Sequence, residues 1–337
     1  MRVAISPYVS IKHYRGAEKW AAQVANMLDE DGFEVEVRAI PFAPSGQRLI
    51  DASQVLNDRI RYKEAWRHDL SSFDTAYIIY NPLSSLFFNG KTRKIAGIHA
   101  WFYVSNRIFG GEYRGFAETS IKILHRTLGK RELSRYDTIH TVTPVFDSPN
   151  HNTRWIPNFV DTDKFYSDPR EEFTVLFTSG DNPWKGWNKV KKVAEILDDD
   201  ITIAVTRSRV EGKHVKKLGF LSDSELIDWY ARSHVLIYPS RDSTDSMTIL
   251  EALASGSPVV TSDIKTHVAM FENDEGAILY ANTVDEYVSV LRRLKEEWTQ
   301  KRSMYEERSE KAKELAERRD IDTVYPQLKD MIESPVS

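Results

Sequence analysis

Residues 234–261 carry the clearest fold signal in the chain and read HVLIYPSRDSTDSMTILEALASGSPVVT. The apolar run His234–Tyr238 predicts a strand, and a loop rich in hydroxyl side chains follows it. Met247–Ala254 then predicts a helix closed by a Ser-Gly pair, and Ser257–Thr261 predicts the next strand. Strand, loop, helix and strand in this order indicate an α/β unit built around a parallel sheet.

The same alternation of short apolar runs and longer helical patterns covers most of the chain. The first helix is predicted from apolar residues at helical spacing between Ala17 and Leu28, with Gly32 just past its end. The predicted strands form two series, at Arg2–Ser6, Phe33–Ala39, Ala76–Tyr80, Lys94–Ile98 and Thr138–Val142, and at Thr174–Thr178, Ile201–Thr206, His234–Tyr238, Ser257–Thr261 and Gly276–Tyr280.

Two series of strands predict two doubly wound, Rossmann-like α/β domains facing a central cleft. Pro, Asn and Asp cluster between Ile156 and Asp163, which is typical of a linker. We therefore expect an N-terminal domain over 1–157, a linker over 158–168 and a C-terminal domain over 169–315. A C-terminal helical segment, 316–337, is expected to pack back on the body.

Composition excludes several classes of protein. The 337 residues include 46 Lys and Arg against 50 Asp and Glu, and this net charge of -4 disfavours sequence-independent coating of nucleic acid. Cysteine is absent, which removes disulfides, thiolate zinc sites and thiol nucleophiles and favours a reducing compartment. The start of the chain lacks a secretory signal and no stretch is long and apolar enough to span a membrane, so we expect a cytoplasmic protein, with attachment to the membrane surface left open.

The loops after the strands are where such folds bind ligands, and two of them lie in the N-terminal half. Gly16 stands at the start of the first helix, where free N–H groups favour an anion, although a plain turn glycine explains it equally well. No Gly-x-Gly-x-x-Gly accompanies it, which removes the main support for a dinucleotide site. His99 follows an apolar run and could bond a polar substrate or move a proton; a buried histidine bonded to a backbone carbonyl is the alternative.

Two further loops lie in the C-terminal half. Gly180 and Lys185 follow the strand Thr174–Thr178 and could hold a phosphate, but the spacing is not that of a P-loop and a surface turn is the alternative. The hydroxyl-rich loop before Met247 converges on a helix N-terminus and could cradle a pyrophosphate. Glu251 could serve that site or merely cap its own helix in a capping box with Thr248.

The order of these pieces resembles that of the GT-B glycosyltransferases, most closely family 4, from Met1 to about Leu294. Five segments carry the resemblance: Arg15–Glu18, Tyr136–Thr143, Ile156–Phe165, Leu218–Ser222 and the block from Pro239 to Val260, which is the most specific. The resemblance implies a retaining, hexosyltransferase-type enzyme that uses a nucleotide-diphosphate sugar, of UDP or GDP type, without a metal ion or other cofactor. The N-terminal domain would bind the acceptor, a glycan or lipid-linked hydroxyl, and the C-terminal domain the donor.

The resemblance also implies roles for individual residues. Gly16 would let the backbone approach the donor, His99 would contact the transferred sugar, and Lys185 would neutralise the departing diphosphate. Glu251 would bind the ribose hydroxyls. Phe220 and Leu221 would flank the base. The remaining implied donor-binding positions are Gly180 and the loop residues Asp242, Ser243, Thr244, Asp245, Ser246, Met247 and Thr248.

The chain departs from the family pattern at three places. Ser243 stands where the first glutamate of the family pair is expected, and Asp242 or Asp245 would have to replace that carboxylate. Asp181 stands where the family has a phosphate-binding arginine, in a loop one residue short, so Arg207 or Arg241 would supply the cation. Phe159 replaces the linker glycine. These departures motivate an alternative function, a non-catalytic nucleotide-sugar-binding or scaffold protein.

The segment 114–135 carries six cations and two acids with apolar residues interleaved. One helix with a core face and a solvated basic face explains this pattern. The alternative is peripheral contact with anionic lipid or an anionic acceptor, which the local excess of positive charge favours in an acidic protein.

Overall fold

A computed structural model describes residues 1–14, 16–41, 49–99, 120, 123–146, 152–169, 171–181, 183–198, 200–271 and 276–334. The chain divides into two compact units, Met1–Pro157 with Tyr325–Ser337, and Asn158–Val324. The stretch 158–168 therefore lies in the second unit. Each unit is built around its own parallel sheet.

The first unit contains a sheet of seven parallel strands in the order β3-β2-β1-β5-β7-β8-β9. These strands are β1 Arg2–Tyr8, β2 Glu34–Ala39, β3 Arg61–Glu64, β5 Thr75–Ile79, β7 Arg93–Ile98, β8 Thr138–Thr141 and β9 Thr153–Trp155, and a separate pair joins β4 His68–Asp69 to β6 Phe88–Asn89. The helices described here are α1 Gly16–Glu30 and the short α2 Lys130–Leu133, which follows a π-helical turn at His125–Gly129. Gly32, at φ +87°, takes the left-handed conformation that lets the chain turn from α1 into β2.

The second unit contains six parallel strands in the order β12-β11-β10-β13-β14-β15. The strands are β10 Thr174–Phe177, β11 Thr202–Thr206, β12 Val215–Gly219, β13 Val235–Tyr238, β14 Val259–Thr261 and β15 Ile278–Tyr280. The helices are α3 Trp187–Ile196, α4 Asp223–Arg232, α5 Met247–Ala254, α6 Lys265–Met270, α7 Val284–Gln300 and α8 Arg302–Glu317, followed by α9 Ile321–Glu333. Capping boxes at Ser222 and Thr283 start α4 and α7, because each side chain accepts from the backbone three residues on.

Both faces of these sheets are covered, which explains the continuous apolar runs of the sequence. In β13, Val235 and Ile237 enter one core cluster, while Leu236 and Tyr238 enter another on the opposite face. Successive side chains of a strand point to opposite faces, so both faces must be apolar when both are buried.

The predicted fold class, α/β with two doubly wound parallel sheets, is confirmed. Every predicted strand is present, with ends that agree to within about two residues. Sequence reasoning missed three strands of the main sheets and the two-residue pair. The three are β3, β9 and β12, and their residues are largely half-buried or exposed. A strand at a sheet edge is covered less completely and carries a weaker apolar signal.

The expected return of the C-terminal helix is also confirmed. The guanidinium of Arg93 donates to the carbonyls of Met331 and Ile332, each at 2.8 Å. Near the start of the same stretch, Tyr325 and Lys329 both reach the carboxylate of Asp31, at 2.8 and 2.7 Å. The end of α9 therefore belongs to the first unit although it follows the second in sequence.

Candidate active site

The predicted donor loops lie together at one end of the second sheet. β10 and β13 are hydrogen-bonded neighbours, and the strand order reverses between them. In doubly wound sheets, ligands bind beyond the carboxyl ends of the strands at this point of reversal. Both loops predicted to hold the diphosphate, 178–186 and 239–246, leave the sheet there.

Backbone contacts join these two loops. The amide of Arg241 donates to the carbonyl of Trp184 at 2.8 Å, and the Ser240 hydroxyl donates to the same carbonyl at 3.2 Å. Gly186, at φ +76°, packs against the backbone of Pro239, where a Cβ would lie 3.0 Å from the carbonyl carbon and closer to its oxygen. Only glycine fits at position 186, and its absent side chain lets the two loops pack closely against each other.

Lys185 is bonded to a buried phenol. Its amine donates to the hydroxyl of Tyr238 and lies 4.8 Å from the centre of that ring. Burial alone would raise the pKa of Tyr238, but the charge of Lys185 and hydrogen bonds from Lys185, Ser246 and Ser243 lower that pKa below its ordinary value. The Tyr238 oxygen is thus a point where the lysine and the hydroxyl-rich loop converge.

The loop 242–246 is mostly buried and contains the two carboxylates considered as substitutes for the missing glutamate. Asp245 accepts from the backbone amide of Asn158 at 2.7 Å and from Arg319 at 2.8 Å. Burial raises the pKa of Asp245, and Arg319 and the Asn158 amide oppose that shift. Both carboxylate oxygens of Asp245 therefore hold protein groups. The backbone carbonyl of Asp242 accepts from the Ser240 hydroxyl at 2.8 Å, and the residue is half-buried.

Glu251 does not cap its helix. α5 begins at Met247, so Glu251 is the fifth helical residue, past the position of a capping-box glutamate. Its carboxylate instead accepts from the hydroxyl of Tyr230 at 3.0 Å, and Thr178 lies 3.4 Å from that hydroxyl. Burial, and to a smaller extent the charge of Glu251, raise the pKa of Tyr230 well above its ordinary value, so the phenol stays protonated and donates. Met247 and Thr248, the other predicted contacts here, are half-buried on the first turn of α5.

The predicted base-flanking residues lie beside the loop after β11. Arg207, at φ +45°, holds a strained left-handed backbone, and its guanidinium lies 5.2 Å from the centre of the Phe220 ring. Phe220 is 58% exposed, and Leu221 is half-buried. Gly180, at φ +61°, approaches the Arg207 carbonyl, where a Cβ would be 3.4 Å away. The structure therefore brings Gly180, Arg207 and Phe220 together.

Asp181 stands at the position where the family has a phosphate-binding arginine. Asp181 accepts from the backbone amide of Arg209 and pairs with its side chain at 3.2 Å. The loop 207–209 is therefore bound to the loop after β10. Arg241 contributes its backbone to the contact between the donor loops, as described above.

His99 and Gly16 belong to the first unit. The Nε2 atom of His99 lies 2.8 Å from the hydroxyl of Tyr77, and the same hydroxyl lies 2.6 Å from Nδ1 of His140. Burial, and then the neighbouring His140, lower the pKa of His99 well below its ordinary value, so the ring is neutral at pH 7. Gly16 is the first residue of α1, with open space where a Cβ would stand, and Arg15 beside it lies outside the described residues.

Sequence reasoning missed the side chains that position these groups. They are Tyr77, His140, Tyr230 and Tyr238, all buried within or next to the sheets. The available signal was a tyrosine or histidine inside an otherwise apolar strand or helix face. Such polar atoms need partners when buried, but the sequence does not say which.

No group of three or more His, Asp or Glu side chains arranged to hold a metal ion occurs in the part of the chain that the structure describes. Two residues of the Asp-Thr-Asp sequence at 161–163 contact nearby protein groups. Asp161 pairs with Lys164 at 2.7 Å, and the backbone amide of Thr162 donates to Asp320 at 3.1 Å.

Residues 161–314 match the family Glycosyl transferases group 1. This segment contains both donor loops, Lys185, Glu251 and the Arg207–Phe220 pair. The family match therefore coincides with the half of the chain in which the structure gathers the predicted donor residues.

Several known proteins resemble the chain in sequence or in fold. A phosphatidyl-myo-inositol mannosyltransferase of Propionibacterium freudenreichii is 29% identical over 165 residues, 48% of this chain and 40% of that protein, so the match spans well under half of the relative's length. Sucrose-phosphate synthase from Thermosynechococcus elongatus superposes with a TM-score of 0.77 at 16% identity over 98% of both chains. Anabaena HepE, solved with UDP and glucose, gives 0.74 at 14% identity over 99% of this chain and 100% of its own. These superpositions show the GT-B glycosyltransferase fold.

None of the described helices has the length and apolar character needed to cross a membrane.

Proposed function

We propose that the protein is a retaining, hexosyltransferase-type glycosyltransferase of family 4 that moves a sugar from a nucleotide-diphosphate sugar to an acceptor hydroxyl. The observation that carries the proposal is the convergence of Lys185, Tyr238 and the loop hydroxyls at the point of strand reversal, inside the segment that matches the group 1 family. Parallel α/β sheets bind phosphorylated ligands at this place because loop amides and helix N-termini favour anions.

Lys185 stabilises the departing diphosphate in this proposal. The bond between the anomeric carbon and the diphosphate oxygen breaks, and the acceptor oxygen bonds to that carbon from the same face. The acceptor proton passes to the departing diphosphate, whose remaining charge needs a nearby cation. The Tyr238 hydroxyl holds the Lys185 amine in place before the phosphate arrives. No step in this scheme uses a metal ion.

Glu251 and the Arg207–Phe220 pair bind the nucleoside. A carboxylate held by Tyr230 can accept from two ribose hydroxyls, and an exposed aromatic ring beside a guanidinium offers a stacking surface for a base. The resemblance favours a UDP or GDP donor, and the likeness to HepE, which binds UDP, supports the uridine member of this pair.

Ser243 stands where the family has its first glutamate, and its side chain is hydrogen-bonded within the protein. Its hydroxyl bonds to Tyr238, next to Lys185. Because both oxygens of Asp245 hold Asn158 and Arg319, we assign Asp245 a structural role, and Asp242 remains the other candidate for the missing carboxylate.

The first unit binds the acceptor, and His99 accepts a hydrogen bond from a hydroxyl of the transferred sugar. The relatives named above include a mannosyltransferase whose name specifies a phosphatidyl-inositol acceptor, which supports a lipid-linked or glycan acceptor here. Contact with an anionic membrane would use the described end of segment 114–135, where Ile123 and Leu128 are 48% and 47% exposed beside four exposed cations. Together with the absence of cysteine, this suggests the cytosolic membrane face as the place of action.

A thermal-shift screen tests donor binding. Uridine, guanosine, adenosine and thymidine diphosphate sugars are added to the full chain and to Glu251→Ala, because a ligand that binds the native state raises its melting temperature. We expect one base to stabilise the unmodified protein and to lose most of that effect in Glu251→Ala. Stabilisation by the same sugar without any turnover across a broad acceptor panel would favour the non-catalytic binding protein, an alternative that Ser243 at the glutamate position supports.

A further inference from the structure

The first unit contains a buried hydrogen-bond chain that leads to His99. It runs from the Ile156 carbonyl to Nε2 of His140 at 2.8 Å, from Nδ1 of His140 to the Tyr77 hydroxyl at 2.6 Å, and from that hydroxyl to Nε2 of His99 at 2.8 Å. The three side chains come from adjacent parts of one sheet, since β5, β7 and β8 are hydrogen-bonded neighbours.

Gly97 makes this chain possible. Gly97 lies between Ile79 of β5 and His140 of β8 in the register of the sheet, on the face that Tyr77 also occupies. A Cβ there would lie 2.6 Å from Cζ of Tyr77 and nearer still to its hydroxyl. The missing side chain lets the phenol cross over β7 and reach both histidines.

The donor in each hydrogen bond of this series follows from the Ile156 carbonyl at one end. A carbonyl only accepts, so Nε2 of His140 donates to Ile156. Burial lowers the pKa of His140 to about 4, so the ring is neutral at pH 7 and its Nδ1 accepts. Tyr77 must then give its single proton to His140, and its oxygen accepts from Nε2 of His99.

We propose that Tyr77 and His140 are positioning residues that fix His99 as the Nε2–H tautomer, so that Nδ1 of His99 can only accept a hydrogen bond. The inference rests on the proposed function in one respect, namely that the hydrogen bond comes from a substrate hydroxyl.

Packing fixes the ring as well as its protons. The indole of Trp20, from α1, lies 4.5 Å from His99, 5.0 Å from Tyr77 and 6.0 Å from His140 between ring centres. Trp20 and Tyr77 are fully buried, while His99 is only half-buried. A largely buried ring held against a fully buried support keeps a set orientation.

Ring-nitrogen NMR of 15N-histidine-labelled protein at pH 7.5 tests the proposal independently of turnover. We expect Nε2–H rings for both His99 and His140, with His99→Gln and His140→Gln used to assign the signals. In His140→Leu the Tyr77 proton has no acceptor at position 140 and passes to Nε2 of His99, so His99 should change to the Nδ1–H tautomer. His140→Gln, which can donate to Ile156 and accept from Tyr77, should leave His99 unchanged.

Tyr77→Phe provides a second test if His140→Leu fails to fold. His99 should then show a mixture of tautomers, whereas His140 keeps its bond to Ile156 and remains Nε2–H. Tyr80→Phe removes a buried hydroxyl that lies 3.5 Å from Glu132 on the other face of the same sheet, and it should change neither histidine.

Turnover is measured on the same variants. If the proposed function holds, His140→Leu and Tyr77→Phe should lower kcat about tenfold without changing the affinity for the nucleoside diphosphate, and His140→Gln should restore most of kcat. An Nδ1–H ring for His99 in the unmodified protein, or a His99 tautomer that neither variant changes, would overturn the proposal. The expected tautomers in a protein without transferase activity would instead overturn only the proposed function.

Discussion

Tyr230 donates a hydrogen bond to Glu251 at 3.0 Å and so joins helix α4, which precedes the loop 239–246 in sequence, to helix α5, which follows it. Tyr230 is almost completely buried, and its pKa is raised first by burial and then by the charge of Glu251. The phenol therefore remains protonated and fixes the carboxylate that we assign to the ribose.

Replacing Tyr230 with Phe should weaken nucleotide binding about tenfold, because the hydrogen bond to a charged acceptor is lost while the ring is kept. Isothermal titration with the nucleoside diphosphate that the thermal screen identifies measures this effect. Tyr287→Phe is the control, since its buried hydroxyl bonds to Ser262 at 3.1 Å elsewhere in the same unit. Equal losses in both variants would show that Tyr230 supports only the fold.

Replacing Lys185 with Ala should lower kcat by about 100-fold, which corresponds to about 3 kcal/mol of lost stabilisation of the departing charge. Single-turnover measurements at saturating donor separate this effect from binding. Lys191→Ala removes an exposed lysine from α3 and should leave the rate unchanged. An unchanged rate in Lys185→Ala, with the fold intact, would remove Lys185 from the site.

The Asp245–Arg319 pair should contribute to stability more than to donor binding. Asp245→Asn leaves the buried Arg319 without its counter-charge and should lower the free energy of unfolding by about 3 kcal/mol, measured by urea denaturation. The double variant Asp245→Asn with Arg319→Met should recover much of this loss, because no lone charge remains buried. If Asp245→Asn instead left stability unchanged and weakened donor binding, Asp245 would be the substitute carboxylate.

Stability should fall as the solution becomes acidic because of buried histidines. The pKa of His140 is lowered by burial to about 4 and that of His267 to about 3, both below the ordinary value near 6.5. A lowered pKa means that stability is complete above about pH 6.5 and is lost as the pH falls toward the lowered value. Each histidine should contribute a slope of up to about 1.4 kcal/mol per pH unit in that range.

The His140→Gln variant isolates one of these slopes. In thermal melts at constant ionic strength, its melting temperature should fall less steeply than that of the unmodified protein as the pH is lowered from about 6.5 to 4. Identical slopes in the two proteins would mean that His140 is charged already in the native state, which would contradict the proton directions assigned around Tyr77.

The exposed cations Arg126, Lys130, Arg131 and Arg135 should favour anionic vesicles by about 1 kcal/mol each at low salt. Co-sedimentation with neutral and anionic vesicles at low and moderate salt measures the effect. The triple variant Lys130→Gln, Arg131→Gln, Arg135→Gln should bind much less than a triple glutamine variant of Lys311, Lys313 and Lys191. Equal, negligible sedimentation of the unmodified protein with both vesicle types would contradict the membrane proposal. Residues 114–119, 121 and 122 of the predicted helix lie outside the described residues.

The sequence was sufficient for the main strands and for the loops that follow them. Apolar runs such as Val235–Tyr238 are bounded by glycine, proline and hydroxyl residues, and both signals depend only on local chemistry. The edge strands Arg61–Glu64 and Val215–Gly219 could not be predicted in this way, because partial exposure removes the apolar pattern. The sequence left two roles open for Glu251. The observed helix start at Met247 and the hydrogen bond from Tyr230 exclude the capping role.

The partners of the site residues could not be read from the sequence. Tyr230 and Glu251 are 21 residues apart, Tyr77 and His140 are 63 apart, and Asp245 and Arg319 are 74 apart. Nothing local in the chain specifies such pairs, because they form only when the sheet brings its strands together in one register. The same reason explains why Asp245 looked like a substitute for the missing glutamate until its contacts with Asn158 and Arg319 were seen.

The most direct test of the account is release of the nucleoside diphosphate from the donor sugar by purified protein, followed by chromatography with and without an acceptor panel. We expect release from a UDP or GDP sugar that increases with one acceptor class and falls about 100-fold in Lys185→Ala. Tight binding of the nucleotide sugar with no release under any acceptor, or release that Lys185→Ala leaves unchanged, would contradict it.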